Sequence, residues 1–253
     1  MLLGLDELQA LDSESARTLN ELLNPERSLW VVRAQHAENP YSPDLRESFL
    51  LVIDEAPEPG VPQVLGVHLH RDLADRTVRA GMHRSVLIPL AQNWLVGRGA
   101  DPDLVREPDG WSDPVDAETA RLEDLLRSSG SRYEIRNDYN TTTAPYEKWV
   151  IADDTDALDP KTPVAVFVWR RESDDDTTYT VRGGHFATVE AAHEWTRDTS
   201  ASLPEPSRPA TSRAEAARSG GQEPIRPAYN TPVDDGADRG RTPPPDDTRP
   251  RGR

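Results

Sequence analysis

The sequence predicts an α+β fold built by tandem duplication, and three pairs of short blocks carry the prediction. Asp12-Ser-Glu14-Ser-Ala16-Arg17 recurs as Asp116-Ala-Glu118-Thr-Ala120-Arg121. Thr77-Val-Arg-Ala-Gly81 recurs as Thr180-Val-Arg-Gly-Gly184, and Ala91-Gln-Asn-Trp94 as Ala192-His-Glu-Trp195. The order is kept and the offset stays between 101 and 104 residues. The repeated unit reads α-β-β-β-β-α. Its layers are expected to be an antiparallel sheet with helices packed on one face.

Each copy opens with a helix. Ala16, Leu19, Leu22 and Leu23 fall at helical spacing behind Asp12 and Ser13, as do Ala120, Leu122, Leu125 and Leu126 behind Asp116. Asn24-Pro25 stops the first helix, and Gly130 is placed to end the second in a left-handed conformation. The first strand is Leu29–Arg33, matched by Arg132–Arg136. Alternation sends Trp30 and Val32 inward, with Tyr133 and Ile135 as their partners in copy two. A polar loop leads to Phe49–Ile53 and its match Trp149–Ala152. The third strand is Val64–His70, matched by Ala165–Arg171, and the fourth is Arg76–Ala80, matched by Tyr179–Gly183. Gly81 and Gly184 are expected to turn the chain with positive φ. A closing helix follows, capped in copy two by Thr188, with Val189, Ala192 and Trp195 as its buried stripe.

These elements divide the chain into a first module (1–98), a packed linker (99–115), a second module (116–202) and a tail (203–253). Duplication of so small a unit suggests a pseudo-two-fold pair with its binding surface between the copies. Ten of the 23 prolines lie in 204–250, among few large apolar residues. Such a stretch cannot offset its ordering entropy, so the tail is expected to be disordered. Its one aromatic stretch, Pro224–Pro232, reads either as a short linear motif that orders on binding or as spacer sequence.

Charge is unevenly spread. Residues 201–253 hold nine Arg and eight acidic residues, which leaves 20 basic against 37 acidic groups, about −17, before them. That balance repels phosphate backbones and disfavours nucleic acid. It favours encounter with a basic protein partner. There is no cysteine, which excludes disulfides and thiolate metal sites. No apolar run approaches the ~20 residues that span a bilayer, and the first residues lack a basic leader. The expectation is a cytoplasmic protein without a membrane partner.

No motif names a chemistry. Gly-x-Ser-x-Gly, Walker and dinucleotide patterns are absent, and the acidic runs Asp153–Asp156 and Asp174–Asp176 lack the glycine and ligand spacing of a calcium loop. Arg33 and Arg79, with Arg136, Arg171 and Arg182, alternate outward on the strands. They read either as a guanidinium surface for an anionic partner or as ordinary cross-strand ion pairs. His68 and His70 share a strand face in copy one only, where chemistry specific to that copy would sit. His36 and His83 would be needed to complete a metal site, and no metal or other cofactor is expected. Trp30, Trp94, Trp149, Trp169, Tyr179 and Trp195 read as core rather than as stacking platforms. The resulting expectation is an acidic interaction module: an adaptor, chaperone or inhibitor of a basic partner. The alternative is an enzyme, a hydrolase using His, Asp and Arg, with a site between the modules. Its signature would be one copy altered in a pocket of perturbed titratable groups.

Overall fold

The computed structural model describes residues 4–204, apart from 59, 109–112, 142 and 200. All of them fall in one compact unit. The first half contains a 3-10 turn (Leu5–Glu7), β1 (Gln9–Ala10), α1 (Ser13–Leu22), β2 (Leu29–Asn39), β3 (Ser42–Asp54), β4 (Val64–Asp72), β5 (Thr77–Ser85) and α2 (Ile88–Gly97). The second contains β6 (Asp113–Pro114), α3 (Ala117–Arg127), β7 (Tyr133–Asn140), β8 (Tyr146–Asp154), β9 (Val164–Arg171), β10 (Thr178–Phe186) and α4 (Val189–Trp195). Each half forms a five-stranded sheet, ordered β1-β5-β4-β3-β2 and β6-β10-β9-β8-β7. The fold is α+β with two sheets of the same order.

The sheets are mixed, not antiparallel as expected. The short β1 and β6 run parallel to β5 and β10. Two-residue strands carry no periodicity, so the pattern could not reveal them. The expected polar loop after the first strand is itself strand, because β2 and β3 extend to a tight turn at residues 40–41.

Helices cover both faces, which corrects the expectation of one. Leu65, Val67 and Leu69 of β4 pack with Leu19 and Leu22 of α1. Val64, on the opposite face, packs with Ala91 and Leu95 of α2. In the second half Phe167 meets Leu122 and Leu126 of α3, while Val166 and Val168 meet Ala192 of α4. A strand buried on both faces reads as a continuous apolar run, as Val164–Val168 does.

The capping logic is shared. The Asp12 carboxylate accepts from Ser15 N at 2.7 Å, and Asp116 from Thr119 N at 2.8 Å. The same third residue then ties its helix to the sheet. Ser15 Oγ accepts the Ala80 N–H at 3.0 Å, and Thr119 Oγ1 accepts that of Val181 at 3.2 Å. Both hydroxyl residues are fully buried.

Register corrects the sequence alignment of the halves. Val78 and Tyr179 hold equivalent places, since their carbonyls accept from Leu11 N and Val115 N. Thr77 therefore corresponds to Thr178, and the Thr-Val-Arg blocks are slipped by two residues, which preserves the face. Leu29 and Tyr133 pair with Asp54 and Asp154, so Tyr133 corresponds to Leu29 rather than to Trp30. A bulge follows in both halves, between Val31 and Arg33 and between Ile135 and Asn137. Trp30 (44% exposed) and Ile135 (38% exposed) precede these bulges and lie outside the core because β2 and β7 are the edge strands of their sheets, while Val32 is buried as expected. Gly81 and Gly184 do not have positive φ. A Cβ on Gly184 would come within 2.9 Å of Leu203, so close approach is what requires glycine there. Leu203 also packs beside α4, and His185 N donates to Pro204 O. The described chain therefore continues past the expected tail boundary. The rest of that tail, including Pro224–Pro232, lies outside the described residues, as does Trp111 of the linker. In that linker Val105 is buried and Leu104 is exposed.

The halves meet head to tail. Val86, Leu87 and Leu90, around the start of α2, are buried with Leu122 and Leu126 of α3 and with Val150 and Phe167 of the second sheet. Arg127 of α3 donates to Gln92 of α2 at 2.8 Å. Asn93 exchanges two hydrogen bonds with Gly130, whose φ of 58° presents both backbone groups to it. A two-fold pair would set α2 against its own counterpart α4. Here α2 meets α3, the counterpart of α1, so the expected pseudo-two-fold arrangement is replaced by a heterologous one. The layers run α1, first sheet, α2 with α3, second sheet, α4.

Ser15→Ala should lower unfolding free energy by about 1–3 kcal/mol, since it strands the buried Ala80 N–H. Denaturant titration reads this directly, and a change within error would show that the hydroxyl does not tie the helix to the sheet.

Candidate functional site

A cavity of about 310 Å3 opens where the halves meet. Val86, Leu87, Ile88 and Pro89 at the start of α2 form one wall. Pro89 stands in the first helical turn, where no backbone donor is lost, and no side chain caps Leu87. The partly unsatisfied amino end of α2 therefore contributes positive potential. The floor is the α3 side of the second sheet, built by β8, β9 and β10.

Two rungs of that sheet supply the polar groups. Lys148 lies opposite Trp169, and Tyr146 opposite Arg171. The Lys148 amine sits 4.8 Å from the centre of the Trp169 ring. The Arg171 guanidinium lies 4.8 Å from the Tyr146 ring and 5.9 Å from that of Trp169. Tyr179 stacks on Trp169 with centroids 5.7 Å apart. Its hydroxyl donates to Glu123 Oε2 at 2.7 Å. Glu107, held by Gln92 Nε2 at 2.8 Å, completes the acidic side.

Burial sets the electrostatics. Lys148 and Glu123 are each only 8% exposed. Burial pushes the Lys148 amine down to about 8, with Arg171 adding repulsion. Burial likewise pushes the Glu123 carboxyl up to about 7, opposed by the Tyr179 hydrogen bond and reinforced by Glu107. Burial, then the Glu123 charge, raises the Tyr179 hydroxyl above its ordinary range. Among the described residues no carboxylate forms an ion pair with Lys148 or Arg171, and the Arg171 Nε is buried without a hydrogen-bond partner.

A larger groove, about 1030 Å3, runs along the second half. Its arginines are already neutralised. Arg132 pairs with Asp154, Arg182 with Asp116, Arg121 with Glu118 and Arg170 with Glu147. The smaller cavity is the one whose cations are unmatched.

The five arginines expected to line one face do not assemble. Arg33 donates to the Arg106 carbonyl at 2.8 Å. Arg79 lies 3.8 Å from the capping Asp12, and Arg182 reaches the capping Asp116. Arg136 pairs with Asp153 and Glu134. Only Arg171 enters the junction cavity, on the face opposite Arg182, because the two strand positions differ in parity across β9 and β10.

The two histidines stand apart from it. His68 stacks on Phe49 with centroids 4.7 Å apart and meets Glu47 at 2.8 Å. His70 is exposed. The strand pairing makes Val168 and Arg170 their counterparts, rather than Trp169 and Arg171. His36 contacts Ser48, and His83 stacks near Trp94. No group of three metal donors occurs among the described residues. No described helix is long and apolar enough to cross a membrane.

The asymmetry between the halves lies in the second. Seven residues past each capping aspartate stands Leu19 in one half and Glu123 in the other. Ser48 and Leu69, which face each other, become Lys148 and Trp169, while Val78 becomes Tyr179. Arg71 and Arg171 are common to both. In the first half Arg71 Nη2 donates to Ser48 Oγ at 2.7 Å, and Leu19, Leu69 and Val78 close the space as core. The missed signal was compositional: only two of the 29 basic residues are lysines, and one of them is Lys148. Lysine can lose its charge on burial where arginine cannot. No family model matches the chain, and no match is found among the curated proteins or the solved structures.

Glu123 makes stability depend on pH. The folded chain keeps this proton up to about 7, whereas the unfolded chain releases it near 4.5. The folded state therefore holds the extra proton across that window, and its stability falls as pH rises through it. The loss from this group is about 3 kcal/mol. Glu123→Gln should flatten the wild-type decline between those pH values in urea titrations. An unchanged pH profile would show that Glu123 is not the group responsible.

Proposed function

We propose that this chain is a ligand-binding protein made of two duplicated modules, with a small carboxylate-bearing molecule held between them. The observation that carries this is the pair Lys148 and Arg171, set at one cavity and in ion-pair contact with no carboxylate among the described residues. Leaving a buried charge uncompensated is expensive, so a site that keeps one is suited to receive a counter-charge. The amino end of α2 adds to the same potential. The volume suits a compact ligand, and the aromatic pair offers it apolar surface. Duplication is supported by the shared strand order, caps and bulge. The replacement of a packed core by charged and aromatic groups in one module supports a role specific to that module. Lys148 and Glu123, the perturbed groups that the enzyme alternative would use, are joined by no hydrogen bond or ion pair among the described residues, which favours binding over a coupled acid–base pair.

A second reading, an adaptor or inhibitor for a basic protein, is favoured by the charge of about −17 before residue 201. Such a partner would meet the acidic exterior and leave the cavity free. A reducing, cytoplasmic setting fits the cysteine-free composition of either reading.

The test uses 3-phenylpropionate and the intrinsic tryptophan fluorescence. Saturable quenching is expected, weakening with added salt. Lys148→Met combined with Arg171→Met should reduce affinity roughly ten-fold or more, about the 1.4 kcal/mol or above expected of a charge-assisted pair. Undiminished affinity in the double variant, or no saturation below about 10 mM, would overturn the proposal.

A further inference from the structure

The junction cavity has two polar ends of opposite kind. Lys148 on β8 and Arg171 on β9 form the cationic end. Glu123 on α3 and Glu107 before it form the acidic end. No ion pair joins the ends: Glu107 has only Arg127, at 3.9 Å, and Lys148 has none among the described residues. Between them lie the stacked rings of Trp169 and Tyr179. Glu55 also lines the cavity, and self-neutralisation would have been the cheapest solution for the five ionisable groups that share it. Keeping them apart leaves the cationic end without a counter-charge in contact and the acidic end with the long Glu107–Arg127 pair as its one ion pair among the described residues.

We propose that the ligand is a zwitterion whose ammonium and carboxylate stand at opposite ends of a flat aromatic middle. Its carboxylate meets Lys148 and Arg171, its ammonium meets Glu123 and Glu107, and its ring lies on the Trp169–Tyr179 pair. This rests on the junction being a carboxylate site and adds the second end. The independent support is the position of Glu123. Its counterpart Leu19 is a buried core residue, so a carboxyl there sacrifices packing and desolvates an acid. Nothing in the fold requires that exchange, since the first half closes with leucine. The tyrosine hydroxyl that accompanies Glu123 replaces Val78 and holds the carboxyl in place.

The unliganded site accommodates Glu123 by raising its carboxyl to about 7, so that it is largely protonated at pH 6. The groups that face it are Tyr179 from β10, Glu107 from the preceding segment, and Arg127 and Asp124 from its own helix. An arriving ammonium favours the ionised carboxylate, so Glu123 gives up its proton on binding. The proton passes to solvent and no bond of the ligand is made or broken.

The test compares 3-[4-(aminomethyl)phenyl]propionate with 3-phenylpropionate on the full chain, at pH 6 and by calorimetry in two buffers of different ionisation heat. The amino-bearing acid should bind at least ten-fold more tightly and release a fraction of a proton that 3-phenylpropionate does not. Glu123→Leu, which installs the first half's own residue and should fold, removes the difference between the two ligands. Glu107→Gln reduces it. Binding of 3-phenylpropionate with no gain from the amino group overturns this inference and leaves the carboxylate site standing, as does a gain that survives Glu123→Leu. Failure of both ligands to bind overturns both.

Discussion

The burial of Val86, Leu87 and Leu90 against the second half is the constraint on which the rest of the structure depends. These residues stand where the first half's last strand turns into α2, and their side chains leave that half's own core. They are buried beside Leu122, Leu126 and Phe167 instead, each contributing about 1.5–3 kcal/mol on the usual scale for a fully buried aliphatic side chain. One helix thereby serves two sheets. The polar clamp around it, Arg127 to Gln92 and Asn93 to Gly130, fixes rotation as well as contact. The cavity follows from the same packing, because α2 enters it end-on over strands β8 to β10.

A head-to-tail contact is open-ended by nature, since each free end resembles the surface already used. Here the outer end of the stack differs from the used surface. Where α2 presents Pro89, Leu90 and Asn93 to the second half, α4 presents the exposed Glu190, Ala191 and Glu194. Two acidic residues facing outward make a poor seat for a third module. The halves differ inside as well: Lys148, Trp169 and Tyr179 stand where the first half has Ser48, Leu69 and Val78.

The sequence made the element order legible, because helical and strand periods differ and the capping aspartates mark both first helices. The α2/α4 block and the Gly130 cap were read correctly for the same reason. Faces were harder. Trp30 and Ile135 stand on β2 and β7, at the edge of each sheet, where alternation marks a face as inward but does not show that it stays partly exposed. The two-residue slip in the Thr-Val-Arg block kept parity and so went unnoticed. The site itself was almost illegible. Arg171 was singled out for a different face, while Glu123 sat in a helical pattern where its neighbours Leu122, Leu125 and Leu126 account for the apolar stripe. Its burial comes from α2 and the linker, elements far away in sequence. Tyr179 and Trp169 looked like core, as in part they are, and only their pairing with Glu123 and Lys148 marks them.

The central claim is that the two halves are one cooperative body locked through α2. Native-state hydrogen exchange on the wild type and on Leu90→Ala tests it most directly. The account predicts that the β3–β4 and β8–β9 amides share one highest opening free energy, and that the variant lowers it in both sheets by about 2–5 kcal/mol. Separate opening free energies, with Leu90→Ala lowering protection in only one half, would contradict it.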